Sequence, residues 1–548
     1  MTLARIHDQL TNFCGQLIPR LLTQACRDAS AAEYGSFDRN WWHYKIRDFS
    51  SIILQQGGYA LCCALTMPQW RELFPGLSTI AIASAKFWNA RAIRFRAFEE
   101  YYPWEEGYPP LAFSTLAVVK LVDAGVVNIA VVRDGLEVAA RQLLSRFEGQ
   151  ASNQQVAGTA ALCILRKVAP ELVGASELSQ LCERTLRCQH DEGWYMEYGG
   201  PDLGYLSVTI DCLWDAYDAT GDARFRESAV RALDFIQCFV KLPCRGAGMH
   251  NARNTDYIVP YGIARFLECP DRSEAAALVL IRVFENLSEP GHFLHAIDDR
   301  YFCHYVGHSL FRALPLLAAA ASWTTPARNN VNLQTRMFKG CGHALYDDAP
   351  AGGSALVSGQ KGGVFSVWFS GQHISDFGWC VTDGNTTWVS HWWGDFWKLE
   401  VDGARVAVQG RLTPHRANTS TPFKHFVLRV LSILMGRRII ALLKEKLIFK
   451  AKSGPVYAYQ RVIVFGKNSV RVVDRIEMPQ GAEAMRAPRA SKRHVASADS
   501  FHAEDFSLAD TQVTVGEKRS WDDGVLTITT EYKLDMVYEA DYSNSVLE

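Results

Sequence analysis

From the first residues to about position 325, apolar side chains recur at helical spacing. They fall into segments of roughly 14 to 22 residues, parted by short loops rich in Gly, Pro and aromatics. Clear examples are 110–124, 153–168, 204–219, 223–239 and 301–321. About a dozen such segments in succession, with no strand pattern between them, predict an (α/α) toroid, an incomplete barrel of about six helical hairpins.

Beyond the Ala-rich 316–322 and the polar stretch 324–334 the period changes to two. Segments 363–369, 378–382, 386–390, 397–402, 404–408, 456–465, 469–477 and 525–538 alternate apolar and polar positions, with turn signals at Asp383-Gly384 and Asp402-Gly403. Short strands at this spacing predict an antiparallel β-sandwich. The expected organisation is therefore multidomain, α then β, with a toroid over 1–325 and a sandwich over 326–548. Residues 478–512 carry a weaker pattern.

One segment breaks the β pattern. Residues 423–450 are strongly apolar, hold seven basic side chains and a single acid, Glu445, and read as a helical hairpin turning near Gly436-Arg437. Each arm is too short for a bilayer span of roughly 20 residues. Two roles fit it, an insertion packed against the toroid or a peripheral contact with an anionic membrane surface.

Composition narrows the class of partner. The 548 residues exceed what one core supports, the apolar and charged fractions are those of a globular protein, and the formal net charge of −1 supplies no basic field for nucleic acid. Any anionic ligand must be met by a local cluster. The first 22 residues form an amphipathic helix pattern without the continuous apolar core of a secretory signal, so a cytoplasmic location, at most peripheral on the inner face of a membrane, is expected. Fourteen cysteines lie scattered in apolar runs without a CxxC pair, which points to buried thiols and to no cysteine-bound metal.

The loops hold the candidate chemistry. Segments 101–108 and 191–205 concentrate Tyr, Trp and Gly, the composition of a cleft lip whose aromatic faces stack on sugar rings; capping of the helical core is the alternative. Trp42 and His43, within 40–44, could add a stacking wall or serve as a helix-entry staple. Asp191, Glu192 and Glu197 would suit a hydrolase with paired acids. His304 and His308, at i and i+4, would share one helix face, but no third metal ligand follows at recognisable spacing.

With this order of domains, three motifs carry a resemblance to the heparinase II/III-like group of polysaccharide lyases and uronate C5-epimerases: Ser152-Asn153-Gln154-Gln155 opening a helix, the stretch from Glu192 to Tyr205, and Arg253-Asn254-Thr255-Asp256-Tyr257 followed by Pro260-Tyr261-Gly262. The resemblance implies that Asn153 faces the uronate carboxylate, that Tyr205 transfers the proton with Tyr198 as a neighbouring substitute, and that a β-domain histidine, His391 before His373, acts as second acid or base. It also implies no cofactor and no metal. Chemistry requires the carboxylate to be neutralised before C5 can lose its proton, and Arg253 is the candidate cation. Gln154, Gln155, Trp194, Tyr198, His250, Asn254, Tyr257, Tyr261, His304, Trp42 and His43 are the expected substrate-binding positions. Gln154 and Gln155 stand where that group often has His.

Three functions follow. The first is a lyase that cleaves an acidic, uronate-containing polysaccharide by β-elimination after C5 proton abstraction. The second is C5 epimerisation of a nascent lipid-linked glycan in surface polysaccharide biosynthesis. The third is a glycan-binding protein whose catalytic residues have decayed.

Overall fold

The computed structural model describes residues 2–95, 98–240, 242, 247–289, 292–323, 336–349, 353–369, 372–384, 386–415, 421–436, 438–439, 457–466, 468–479, 481–487 and 513–534. The helices are α1 (Leu3–Gln24), α2 (Arg39–Trp42), α3 (Gln56–Ala64), α4 (Pro68–Leu73), α5 (Leu77–Phe95), α6 (Tyr108–Asp123), α7 (Arg133–Leu144), α8 (Ser152–Val168) and α9 (Ala175–Leu186). They continue with α10 (Leu203–Thr220), α11 (Ala223–Val240), α12 (Tyr261–Ala264), α13 (Ser273–Phe284), α14 (Phe293–Ala296), α15 (Asp299–Phe302), α16 (Tyr305–Ala319) and α17 (Pro422–Met435). Contacts divide the chain into a helical unit, residues up to 328 together with α17, and a β unit that carries the strands.

In the helical unit α3, α6, α8, α10, α12 and α16 pack side by side in that order, and α16 returns to α3. Each has an outer partner: α5 on α3, α7 on α6, α9 on α8, α11 on α10, α13 on α12 and α1 on α16. The sequence explains the layering. Helices α8 and α10 are buried without a break from Ser152 to Leu165 and from Leu203 to Ala216, whereas α7 and α9 bury one stripe each. This is the expected toroid of hairpins, with the first helix of the chain serving as outer partner of the last inner one.

A buried ion cluster pins three inner helices together. Asp215 of α10 receives Arg312 of α16 at 2.6 Å and the ammonium of Lys120 of α6. Burial alone would raise the Asp215 carboxyl, but Arg312 and Lys120 outweigh it and hold it below the usual range.

The 301–321 segment is not one helix. α15 ends at Phe302, and His304 caps α16 in extended backbone at φ −98° and ψ −165°. His304 and His308 are therefore not successive turns of a continuous helix, and among the described residues no group of three or more His, Cys, Asp or Glu side chains could hold a metal ion.

The β unit holds three antiparallel sheets. Strands β1 (Arg336–Phe338), β2 (His343–Ala349), β3 (Gly353–Ser358), β4 (Val364–Phe369) and β5 (Gln372–Asp376) form one in chain order. A second joins β6 (Trp379–Asp383), β7 (Thr386–Val389), β10 (Thr413–His415) and β13 (Glu483–Arg486) in the order β10-β7-β6-β13. The third runs β14-β15-β12-β11-β9-β8, from β8 (Lys398–Asp402), β9 (Arg405–Arg411), β11 (Ala458–Phe465), β12 (Ser469–Glu477), β14 (Val513–Asp522) and β15 (Val525–Leu534). A fully buried Arg461 on β11 ties them by bonding Asp474 of β12 at 2.7 Å and Asp376 of β5 at 3.0 Å, while Trp379 of β6 donates to Asp474 at 2.7 Å.

The apolar segment at 423–450 starts as the helix it was expected to be. α17 ends at Gly436, with φ +50°, where the turn was expected, and groups with the helical unit rather than with the strands around it in sequence. Apart from 438–439, the second arm and the polar stretch 324–334 lie outside the described residues.

Removing one partner of a buried pair leaves an uncompensated charge, a loss of about 3–5 kcal/mol. Asp215→Ala should lower the urea midpoint of the helical transition accordingly; an unchanged midpoint would show that the cluster is not what holds α6, α10 and α16 together.

Candidate active site

Helices α8 and α10 begin side by side, and their heads carry two of the sequence-predicted residues. Asn153 is the second residue of α8 and is buried; its backbone N–H donates to Glu197 Oε1 at 2.8 Å, and its side-chain Oδ1 has no hydrogen-bond partner. Tyr205, the third residue of α10, is also buried and meets Tyr257 edge to face at 6.3 Å.

Asp202 joins the two motifs that follow. As N-cap of α10 its carboxylate accepts from the Tyr205 N–H at 3.2 Å, and from the Arg253 N–H at 3.1 Å, the Thr255 N–H at 3.4 Å and the Thr255 hydroxyl. Asn251 adds a second tie, accepting from the Leu203 N–H at 3.0 Å and donating to the Thr255 carbonyl at 2.7 Å. The approach is so close that only glycine fits at 204, where a Cβ would lie 2.4 Å from Thr255 Oγ1. The 251–257 loop is thereby fastened to the head of α10.

Arg253 then reaches back toward α8. Its guanidinium lies 4.6 Å from the Tyr198 ring centre, its Nε is buried without a partner, and Gln154 donates to the Tyr198 hydroxyl at 3.4 Å. Asn153, Gln154, Tyr198, Tyr205, Arg253 and Tyr257 are thus linked by direct contacts or one shared neighbour. Asn254 and His250 lie buried in the same loop region. Tyr198 and Asn254 hold positive φ of 55° and 61°, a strained backbone state found mainly where surrounding structure enforces it.

The other expected residues stand apart. Gln155 is a brace: it accepts from Tyr108 at 3.0 Å and from the Glu148 N–H at 2.8 Å, and its amide donates to Thr159 at 3.2 Å and Thr185 at 3.4 Å. Tyr261 lies under the Arg312 guanidinium at 3.3 Å and accepts from Arg265 at 3.0 Å. Trp194 stacks on His190 at 4.4 Å and donates to Glu192 at 2.9 Å, and Trp42 donates to the Gln24 carbonyl at 2.8 Å beside an exposed His43. His391 lies buried just after β7, in the β unit. Burial, helped by Arg300, lowers His304 to about 3, so it is neutral at physiological pH.

Several groups escaped the sequence reading. Tyr301 and Tyr305 join the expected Tyr257 in a hydroxyl triangle, with Tyr257 2.7 Å from Tyr305 and 3.2 Å from Tyr301. The loop before α6 is equally built: Glu105 accepts from the N–H groups of Glu100 at 2.9 Å and Tyr101 at 2.7 Å, while Glu99 binds Arg91 at 2.8 Å and the Trp104 N–H at 2.8 Å. It holds Tyr101 within electrostatic reach of Tyr205. The aromatics of 101–108 marked this loop in sequence as a cleft lip, but not the buried role of its acids.

Electrostatically, burial raises several of the acids at this end of the unit. Burial pushes Glu100 up to about 8 and Glu105 up to about 7, and it raises Glu197 well above the carboxylate range. Asp202 is raised as well, burial outweighing its hydrogen bonds. The Arg253 guanidinium is a cation available in this region for an anion.

No family model and no curated protein matches the chain in sequence. Among solved structures it is similar to the Streptomyces coelicolor A3 chondroitin AC lyase in complex with chondroitin sulphate, at TM-score 0.52 and 10% identity, over 96% of this chain and 77% of that one. It is similar also to heparinase III, at TM-score 0.40 and 12% identity, over 87% of this chain and 76% of that one. The fold, an α/α toroid followed by antiparallel sheets, is accordingly similar to that of the chondroitin AC lyase.

A carboxyl whose pKa is raised by folding stabilises fully only below its unfolded value near 4.5 and loses that contribution as pH climbs through the folded value. Melting of the helical unit should therefore fall from pH 5 to 8. Glu100→Gln should remove one group's share of that slope, ~1.4 kcal/mol per pH unit. Parallel melting profiles for the two proteins would place Glu100 in water-like surroundings.

Proposed function

We propose that the chain acts on an acidic, uronate-containing polysaccharide by abstracting the C5 proton and completes β-elimination as a lyase. The observation that supports this reading is that Asp202 ties the Arg253 backbone to the first turn of α10, where Tyr205 lies buried, while Asn153 opens α8. Asn153 Oδ1 and Arg253 Nε are buried without hydrogen-bond partners. The likeness to a chondroitin AC lyase fold is consistent with it.

In this mechanism the Arg253 guanidinium and the N–H groups of the Asn153 amide donate to the uronate carboxylate, while Asn153 Oδ1 accepts from a sugar hydroxyl, so that charge from C5 flows into the carboxylate as an enolate. The Tyr205 oxygen, once deprotonated, removes the C5 proton. The C4–O4 bond then breaks, the electron pair leaves with O4, and the phenol returns the proton to that oxygen. The Tyr257 ring, part of the hydroxyl triangle, packs edge to face on Tyr205.

A second reading, C5 epimerisation of a nascent lipid-linked glycan, follows the same path to the enolate and ends by reprotonation from the opposite face. The exposed apolar helix α17, beside clustered basic residues, favours it.

With a panel of uronate glycans beginning with chondroitin sulphate, the lyase reading expects growth of the ultraviolet absorbance of an unsaturated uronate. Tyr205→Phe should cut that rate at least about 100-fold while leaving the fold intact. Full activity in the phenylalanine variant would move proton transfer to another group; inversion at C5 without the chromophore would select the epimerase.

A further inference from the structure

Helix α17 is built the wrong way round for a helix that only packs on its own protein. Phe423, Phe426, Val430, Ile433 and Leu434 fall at i, i+3, i+7, i+10 and i+11, which places them on one stripe of about a third of the circumference. On an ordinary surface helix such a stripe faces the core. Here it faces out: Phe423 is 74%, Phe426 63%, Ile433 60% and Leu434 75% exposed. The side turned inward carries Ser432, the one residue of the helix that is buried.

The reversal is fixed in place by two contacts within the helical unit. Arg429 forms a two-pronged ion pair with Asp48, at 2.6 and 3.0 Å, and Gly436 abuts the Glu106 carboxylate so closely that a Cβ would lie 2.8 Å from Oε1. The first contact belongs to the loop that exposes Tyr44 and Ile46, the second to the loop that exposes Tyr101 and Trp104. Several large apolar side chains from three chain segments thus lie exposed around one helix. Scattered apolar residues are normal on a protein surface, but a continuous stripe of this size marks a contact with something apolar.

Charge identifies the occupant. Residues 423–450 carry Lys424, Arg429, Arg437, Arg438, Lys444, Lys446 and Lys450 against Glu445 alone, in a chain whose formal net charge is −1. An apolar stripe in a segment of sequence so rich in Lys and Arg suits the two layers of an anionic bilayer surface, acyl chains for Phe, Ile and Leu and headgroup phosphates for Lys and Arg. At 14 residues the helix is too short to cross, and among the described residues no helix is long and apolar enough to do so.

We infer that α17 is an interfacial docking helix which lays Phe423, Phe426, Ile433 and Leu434 into the surface of an anionic membrane. This docking is independent of the lyase or epimerase outcome. It also brings the loop before α6, which neighbours Tyr205, near the lipid surface, where a membrane-attached acidic glycan would be presented.

The test is cosedimentation of the full chain with vesicles of phosphatidylcholine mixed with phosphatidylglycerol, against vesicles of phosphatidylcholine alone. Binding is expected to the anionic vesicles, to weaken as salt is raised, and to fall at least about tenfold in the double variant Phe426→Asp and Leu434→Asp. Both positions are exposed, so circular dichroism and melting should match the parent. Lys424→Gln with Arg438→Gln should weaken binding without removing any apolar contact. Failure to bind anionic vesicles, or binding that the aspartate variant keeps, overturns the inference. So does a vesicle-free dimer that the same variant dissociates, because a second copy would then cover the stripe. Uronate-glycan activity in the aspartate variant, measured on soluble substrate, should be unchanged, which separates failure of docking from failure of the proposed chemistry.

Discussion

The arrangement at the heads of α8 and α10 depends on one buried carboxylate. Asp202 caps α10 with one oxygen and with the other gathers the backbone of the 253–255 loop, so that a helix start and a loop about fifty residues later become one rigid piece. Without it, the 253–255 backbone would lose the ties nearest Arg253, leaving Asn251 and Thr255 Oγ1 to hold the loop to α10. The carboxylate accepts four hydrogen bonds in return for its burial, which is what makes a sealed acid tolerable. Gly204 is the steric counterpart of the same constraint, since any side chain there would push the loop away.

The rest of the helical unit follows this use of buried polar groups. Lys120, Asp215 and Arg312 hold inner helices by charge, while nearer the candidate site burial raises the carboxyls of Glu100, Glu105 and Glu197. The difference is one of partners and not of burial: Asp215 has two cations in contact and Glu197 has a backbone N–H. A site meant for an anionic sugar benefits from acids that stay neutral and from a guanidinium whose Nε is not already engaged.

The architecture was legible because periodicity reports burial directly. The 3.6-residue repeat of 153–168 and 204–219 became α8 and α10 almost to the residue, and the alternation in 469–477 became β12. Strands β1 to β3, β5, β10, β13 and β14 were missed: β1, β5, β10 and β13 are short, β3 is buried without alternation, and β14 turns Trp521 and Val515 outward. The break between α15 and α16 is decided by the extended backbone at His304, which helical periodicity across 301–321 cannot reveal. At the site, motifs named Asn153, Tyr205 and Arg253, but the partners of Gln155 and Tyr261 come from helices far away in sequence and could not be foreseen. Glu100 and Glu105 were overlooked for the opposite reason: a charged residue in a loop is usually in water, and only the fold buries these.

The most direct test of the central claim follows the C5 proton itself. When a uronate glycan is incubated with the protein in heavy water and followed by proton resonance, the account predicts that the C5 proton is lost, through exchange or through formation of the unsaturated ring. It predicts further that Asn153→Ala abolishes that loss. Cleavage with the C5 proton retained and water added across the glycosidic bond would contradict it, and would hand the carboxyl groups of this site to hydrolysis instead.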